Sequence, residues 1–240
     1  MFVQLSDLPV VVLLLVGVVF SIAAKKLTPL AAFTGFVCGF LIYRGGGYTD
    51  VLLLTVFFLC GTLATSWGRR QKQYLDRAGD AVQRKYTQVL ANAGAATLLA
   101  VLSLLFPRYG LLFNLMLAAS LASATSDTLS SELGMLYGKN FYDCLSFRKE
   151  AKGLDGVISL EGTLMGMLGA VVIAALFALG KGIDLRFPII VFAATVGNYS
   201  DSLFGATFER QGLLKNDAVN FLSTVIAAVI ALICSIILGL

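Results

Sequence analysis

Apolar residues run along this chain in long blocks rather than in alternation. Segments at roughly 9–24, 28–43, 49–67, 87–106, 110–129, 157–180, 187–207 and 217–239 are mainly apolar, and short stretches bearing Lys, Arg, Gly and Pro divide them. A helix needs about 20 mainly apolar residues to cross the hydrocarbon of a bilayer, with about 17 to 25 tolerated. The pattern predicts an all-α, polytopic integral membrane bundle of about eight spans, with 1–240 as one domain. The short second segment and the acids in the fifth and seventh leave seven or nine spans as alternatives.

Composition agrees with that reading. The chain is 58% hydrophobic and only 13% charged, with a mean hydropathy of +0.86; soluble domains carry about 25% charged residues. Because the apolar blocks recur along the whole length, no cleavable leader is needed to explain them.

The placement of charge adds an orientation. Fourteen of the eighteen Lys and Arg fall in the loops after the first, third, fifth and seventh spans, most of them in two basic loops at about 68–86 and 135–156. Only Arg44, Arg108, Lys181 and Arg186 belong to the other side. Loops retained in the cytosol are enriched in Lys and Arg, so both termini are expected on the non-cytosolic side. The net charge of +4 is thereby a topology signal first. No basic stripe interleaved with aromatics is present, which argues against a nucleic-acid partner. Cys38, Cys60, Cys144 and Cys234 show no paired metal spacing and are assigned to packing.

With this orientation the unusual polar residues collect at the cytosolic ends of spans. The third span ends "CGTLATSWGRR", the fourth begins "YTQVLANAG", the fifth ends "ASATSDTLSSELG", the sixth begins "GLDGVISLEGT", the seventh ends "VGNYSDSLFGATFER" and the eighth begins "KNDAVNFLST". A charge at the centre of a membrane helix costs about 2.5 to 3.5 kcal/mol on insertion scales and is kept mostly where it faces a cavity, a partner or an ion. On the fifth span Ser120, Ser123, Asp127, Ser130 or Ser131 and Gly134 recur every three or four residues, and on the seventh Gly197, Asp201 and Gly205 do the same. Small-residue packing and hydroxyls bonded to their own backbone account for most of the serines, but not for the aspartates. "SDTL" at 126–129 and "SDSL" at 200–203 echo one another, which suggests a degenerate parallel repeat of spans 4–5 and 6–7. Gly162, Gly166 and Gly169 read as a helix-contact face, and "KGLDGV" reads as a turn that leads into the sixth span.

The chain has no histidine, which removes the commonest general base and every His-dependent triad or zinc site. What remains is carboxylate, amide, hydroxyl and cation. Carboxylates suit Mg²⁺, which commonly binds one or two acids plus substrate phosphates. Phosphoryl transfer fits such a set, because it relies on positioning and on neutralisation of charge by metals and by Lys or Arg. An acceptor that is already a phosphomonoester needs no protein base, and the membrane setting suggests that it carries a lipid tail. Asp127 and Asp201 are the expected Mg²⁺ ligands. Glu132, five residues beyond Asp127 and about 140° around an ideal helix, would serve a second metal or a neighbouring helix. Arg69, Arg70 and Lys72, with Arg148, Lys149 and Lys152, are the expected partners of a nucleoside triphosphate such as CTP or ATP.

Six stretches occur in the order seen in a known family: "LTPLAAFTGFVCGFLIYRGGGYTD", "FFLCGTLATSWGRRQK", "QVLANAGAATLLA", "ASATSDTLSSELG", "GLDGVISLEGTLMGMLGA" and "GNYSDSLFGATFERQGLLKNDAVNFLST". Over residues 25 to 225 the chain resembles the transmembrane protein 19 family, which includes a plant phytyl-phosphate kinase. The most specific pieces are D-T-x-x-S-E-x-G at 127–134 and D-S-x-x-G-A-T at 201–207. The resemblance implies a membrane kinase that converts an isoprenoid monophosphate to its diphosphate with Mg²⁺ and a nucleoside triphosphate. It carries Asp127, Ser131, Glu132, Asp201, Ser202, Asn216, Asp217 and Asn220 as site residues, with Asn92 and Asp155 added; Asp217 joins the expected metal ligands. The loop at 139–152, "KNFYDCLSFRKEAK", departs from the family's pattern and leaves nucleotide and acceptor preference open. A transporter, a lipid-phosphate nucleotidyl transferase and a non-enzymatic assembly factor are the competing readings. A transporter would place polar groups near mid-membrane and on both faces.

Overall fold

A computed structural model describes residues 5–68, 71 and 83–240. Among these described residues eight long helices follow one another: α1 Leu8–Ala23, α2 Pro29–Gly46, α3 Tyr48–Ser66, α4 Tyr86–Leu105, α5 Gly110–Tyr137, α6 Leu160–Lys181, α7 Arg186–Phe204 and α8 Asn216–Leu238. A π-helical turn, Gly205–Glu209, continues α7. Six of these helices are long and apolar enough to cross a membrane. The two that fall short, α2 and α7, are of similar length but more polar, with Arg44 and four glycines in one and Asn198, Ser200, Asp201 and Ser202 in the other. The protein is an all-α, multi-pass membrane protein.

The helix boundaries have local causes. Thr28 caps α2 by accepting from the Ala31 amide at 3.3 Å, and Pro29 occupies the first turn, where no amide donor is needed. The Gln88 side chain closes the start of α4 on the Lys85 amide at 2.9 Å, and the Ser159 hydroxyl starts α6 by accepting from Gly162 at 3.1 Å. Gly47 alone joins α2 to α3 with φ of +80°, a backbone state that favours glycine.

The bundle is organised around α5, in which every residue from Asn114 to Ser126 is buried. Helices α3, α4, α6, α7 and α8 all pack on it. Small side chains make this possible. A Cβ on Gly162 or Gly166 would stand 2.8 Å from a backbone carbonyl of α5, that of Ser130 or Ser126, so α6 lies directly on the α5 backbone. Gly197 does the same for α7, since a Cβ there would overlap the Ser123 hydroxyl and come within 2.9 Å of Ala227 on α8. The contact role expected for Gly162, Gly166 and Gly169 is the one they have.

Two expectations need correction. The fifth helix does not stop near residue 129 but runs on to Tyr137, because Thr128 and Ser130 bond back to the carbonyls of Ala124 and Asp127 and the extra turns rest on α6. Residues 157–159 are not the start of the sixth span. Val157–Ser159 pairs antiparallel with Phe141–Asp143 to form a small hairpin of β2 on β1, with Phe141 opposite Ser159. Segments of three residues are too short for hydrophobic periodicity to reveal a strand.

One end of the bundle is closed by polar contacts. Arg44 pairs with Asp7 at 3.2 Å, Lys181 donates to the Gly46 carbonyl at 2.8 Å and Ser103 to that of Gly45 at 2.9 Å. Arg186 forks onto Asp184 beside them. Among the described residues the other end is open.

Candidate functional site

The open end holds a cavity of about 1670 Å³. It is walled by the ends of α3, α5 and α7, the beginnings of α4, α6 and α8, the α1–α2 turn and the segment that leads into β2. Asn92, Asp127, Ser131, Glu132, Asp155, Asp201, Ser202, Asn216, Asp217 and Asn220 all line it. The sequence expected these ten at one depth, and the fold brings them to one space. Ser120 and Ser123 lie deeper, fully buried among the packed helices, and belong to helix contact rather than to the cavity.

The helices set the carboxylates. Asp127 and Asp201 enter from α5 and α7, which pack directly against each other, and act on one another electrostatically. Glu132 and Glu209 influence Asp127, while Glu209 and Asp155 influence Asp201. Ser131 stands close to Asp127. With its amide nitrogen turned toward the acceptors, Asn220 donates to Asp201 Oδ2 at 3.1 Å and to the Asn216 carbonyl at 3.3 Å, a choice of orientation fixed by the surrounding network. The Ser130 hydroxyl reaches Asn198 Oδ1 at 3.2 Å across the α5–α7 contact.

So many acids at a membrane boundary repel one another unless cations or protons offset them. Among the described residues the cations that line the cavity are Lys25, Lys26, Arg84 and Lys85. Arg84 is the best fixed. Its backbone is clipped to the α1–α2 turn, accepting from Thr28 at 3.1 Å and donating to the Lys26 carbonyl at 3.0 Å. Its guanidinium donates to Thr65 Oγ1 at 3.1 Å. Gly61 makes room for it, since a Cβ there would stand 3.4 Å from both terminal nitrogens and 3.5 Å from the Thr128 methyl beside Asp127. Burial pulls the Arg84 pKa down and the Glu132 carboxylate pushes it back up. Lys26 donates to Ser66 at 2.7 Å.

These four cations were assigned from sequence to the topology signal alone. A cation in a short loop cannot be told from positive-inside bias until the loop is folded against the acids. Of the cations expected at the site, Lys149 and Lys152 are placed elsewhere. Arg69 and Arg70 lie outside the described residues. Lys149 bridges to Tyr142, and the Lys152 ammonium stands 5.6 Å from the Phe141 ring centroid; neither lines the cavity.

The loop between β1 and β2 forms a strap over one wall. Asp143 Oδ1 accepts from the Leu145 amide at 3.1 Å, the Ser146 amide at 2.8 Å and the Ser146 hydroxyl at 3.0 Å, and Oδ2 meets Arg210 Nη1 at 2.9 Å. The Ser146 bonds, with help from Leu145 and Arg210, hold the Asp143 carboxyl below the usual carboxylate range. Arg210 also donates to the Asp155 carbonyl at 2.6 Å and so ties the end of α7 to the cavity rim.

Among the described residues, no three His, Cys, Asp or Glu side chains come together as a ready metal cage. The donor set is nonetheless all oxygen, with paired carboxylates on two helices and hydroxyls beside them. That set fits a hard cation completed by ligand phosphates rather than by protein alone.

Comparison with known proteins covers most of the chain. The model of the family described as "Integral membrane protein DUF92" matches residues 11–228. An uncharacterized membrane protein of Methanocaldococcus jannaschii is 35% identical over 198 residues, 82% of this chain and 81% of that one. The chloroplastic protein VTE6 of Arabidopsis thaliana is 32% identical over 209 residues, 82% of this chain but 62% of its own length. An uncharacterized membrane protein of Synechocystis is 32% identical over 223 residues, 88% of this chain and 84% of that one. No solved structure matches. With matching sequence running from α1 into α8 and taking in both aspartate motifs of the cavity, this chain belongs to the integral membrane protein DUF92 family, the transmembrane protein 19-like family.

Proposed function

We propose that the protein is a membrane kinase that transfers the terminal phosphoryl group of a nucleoside triphosphate to an isoprenoid monophosphate and yields the diphosphate, with the site facing the cytosol. The observation that carries the reading is that Asp127 and Asp201 share one cavity with Lys25, Lys26, Arg84 and Lys85 at the mouth of a membrane bundle. Family membership and the relation to VTE6 support it.

Two polyanions must meet for this reaction, and their mutual repulsion is the main barrier to bringing them together. Lys25, Lys26 and Lys85 would bind the triphosphate through charge, while Arg84, half-buried and bonded to Thr65, would orient the acceptor phosphate. Asp127, Asp201 and Glu132, with Asp217 at the rim, would hold Mg²⁺; when bound, the metal neutralises the charge that shifts onto the leaving nucleoside diphosphate. Ser131, Ser202, Asn216 and Asn220 would donate to phosphate oxygens, with Asn92 and Asp155 at the edges. The acceptor oxygen forms a bond to the γ phosphorus as the β–γ bridge breaks. That oxygen is already anionic near neutral pH, so no residue needs to remove a proton.

The test compares phytol and geranylgeraniol with their monophosphates, each with Mg²⁺ and with excess chelator. The monophosphates are expected to turn over faster by at least about 100-fold, since an alcohol normally needs a positioned base worth about 10²- to 10⁴-fold, and chelation is expected to stop the reaction. Faster conversion of the alcohols, or turnover that survives chelation, would overturn this chemistry.

A further inference from the structure

A second, smaller cavity of about 270 Å³ lies between α1, α2, α3 and α4. Its walls are mostly apolar, with Leu14, Val18, Phe36, Leu54 and Val89 among them. It adjoins the polar cavity: Phe57, Phe58, Arg84, Gln88 and Asn92 line both. Arg84 therefore stands where an apolar groove meets the acidic chamber. We infer that this groove seats the hydrocarbon chain of the acceptor and measures its length, an inference that rests on the kinase reading above.

The occupant follows from the adjacency of the two spaces at Arg84. A molecule that fills both must carry an anionic head, to lie against Arg84 among hydrogen-bonding side chains, and a slender apolar tail. A prenyl monophosphate has both. A free nucleotide lacks the tail, and a two-chain phospholipid would need room for a second chain.

The helices shape the groove as a wedge. A Cβ on Gly39 would stand 2.7 Å from Leu14 Cδ2, so α1 and α2 touch there. A Cβ on Gly17 or Gly35, which lie nearer the Arg84 end, would meet nothing within 4 Å, and both glycines line the groove. The space thus opens toward Arg84 and narrows toward the Leu14–Gly39 contact. Helix α1 packs chiefly on α2 and presents Val12, Leu15 and Val19 outward, so a chain can enter sideways from the bilayer.

Gly35 provides the lever. Leucine there has room at its Cβ and favours the helix over glycine, and its branches would fill the groove. The experiment uses the full protein in lipid nanodiscs with geranylgeranyl monophosphate that bears a photoreactive diazirine at the tail end. Label is expected on α1–α3 residues such as Leu14, Phe36 and Leu54, and unlabelled geranylgeranyl monophosphate should compete it away where geranylgeraniol does not. Gly35→Leu is expected to abolish that label and to shift the ratio of kcat/KM for geranylgeranyl over dimethylallyl monophosphate toward the short acceptor by at least about tenfold. Label confined to α6–α8, label that geranylgeraniol displaces as well, or an unaltered pattern in Gly35→Leu would overturn the inference. Specific labelling of the groove in a protein that phosphorylates no prenyl monophosphate would uphold the groove and overturn the kinase instead.

Discussion

Asp127 stands almost three turns before the end of α5, directly after the buried run of residues 114–126. Its cost there is what made it legible in sequence, and the same holds for Asp201. Each is an acid that an apolar environment rejects unless something charged answers it. Arg84 was not legible in that way, because its position depends on a bridge to Leu27, far away in the chain, and on the absence of a side chain at Gly61. Asp127→Asn and Asp201→Asn keep shape and remove charge, so each is expected to lower kcat by more than about 100-fold while the protein remains extractable and folded. Arg84→Lys keeps the charge but loses the fork that meets Thr65 and an acceptor phosphate together, and is expected to raise KM for the acceptor more than for the nucleotide. Steady-state kinetics in detergent or nanodiscs decide this. Near-normal kcat in Asp127→Asn would remove the carboxylate model.

At the scale of elements, the spans were readable because period and length both speak for a membrane helix over about 20 residues. The extension of α5 and the β1–β2 hairpin were not, since the first depends on backbone contact with Gly162 and the second on pairing across an intervening loop. Asp143 organises that loop, and its depressed pKa gives a pH dependence of known sign. A carboxyl that is more acidic in the folded state stabilises the fold above its ordinary value, about 3.9, and loses that contribution as pH falls through the depressed one. The amides of Leu145 and Ser146 should therefore be protected from hydrogen exchange near pH 6 and lose protection below about pH 4, after correction for intrinsic rate. Asp143→Asn should lack most of that protection at both values. An undiminished difference between wild type and variant at the lowest pH reached would contradict the assignment.

At the scale of the whole molecule, among the described residues, the polar cavity opens at one end and the other end is tied shut by Arg44, Lys181 and Ser103. Asp50 lies fully buried there beside Asn114. Between it and Asp127 the cores of α3 and α5 are filled by Leu53, Phe57, Leu117 and Leu121. Orientation is tested separately. In a background without native cysteines, a cysteine in place of Lys149 should react with a membrane-impermeant thiol reagent only once the cytosolic side is opened, and one in place of Leu240 should react from outside; the reverse would invert the bundle. The most direct test of the central claim follows the phosphorus itself. The purified protein is given Mg²⁺, geranylgeranyl monophosphate and a nucleoside triphosphate that carries different isotopes at the α and γ positions. The γ label alone should appear in the lipid, as the diphosphate; α label in the lipid, or neither label, would contradict the assignment as a prenyl-phosphate kinase.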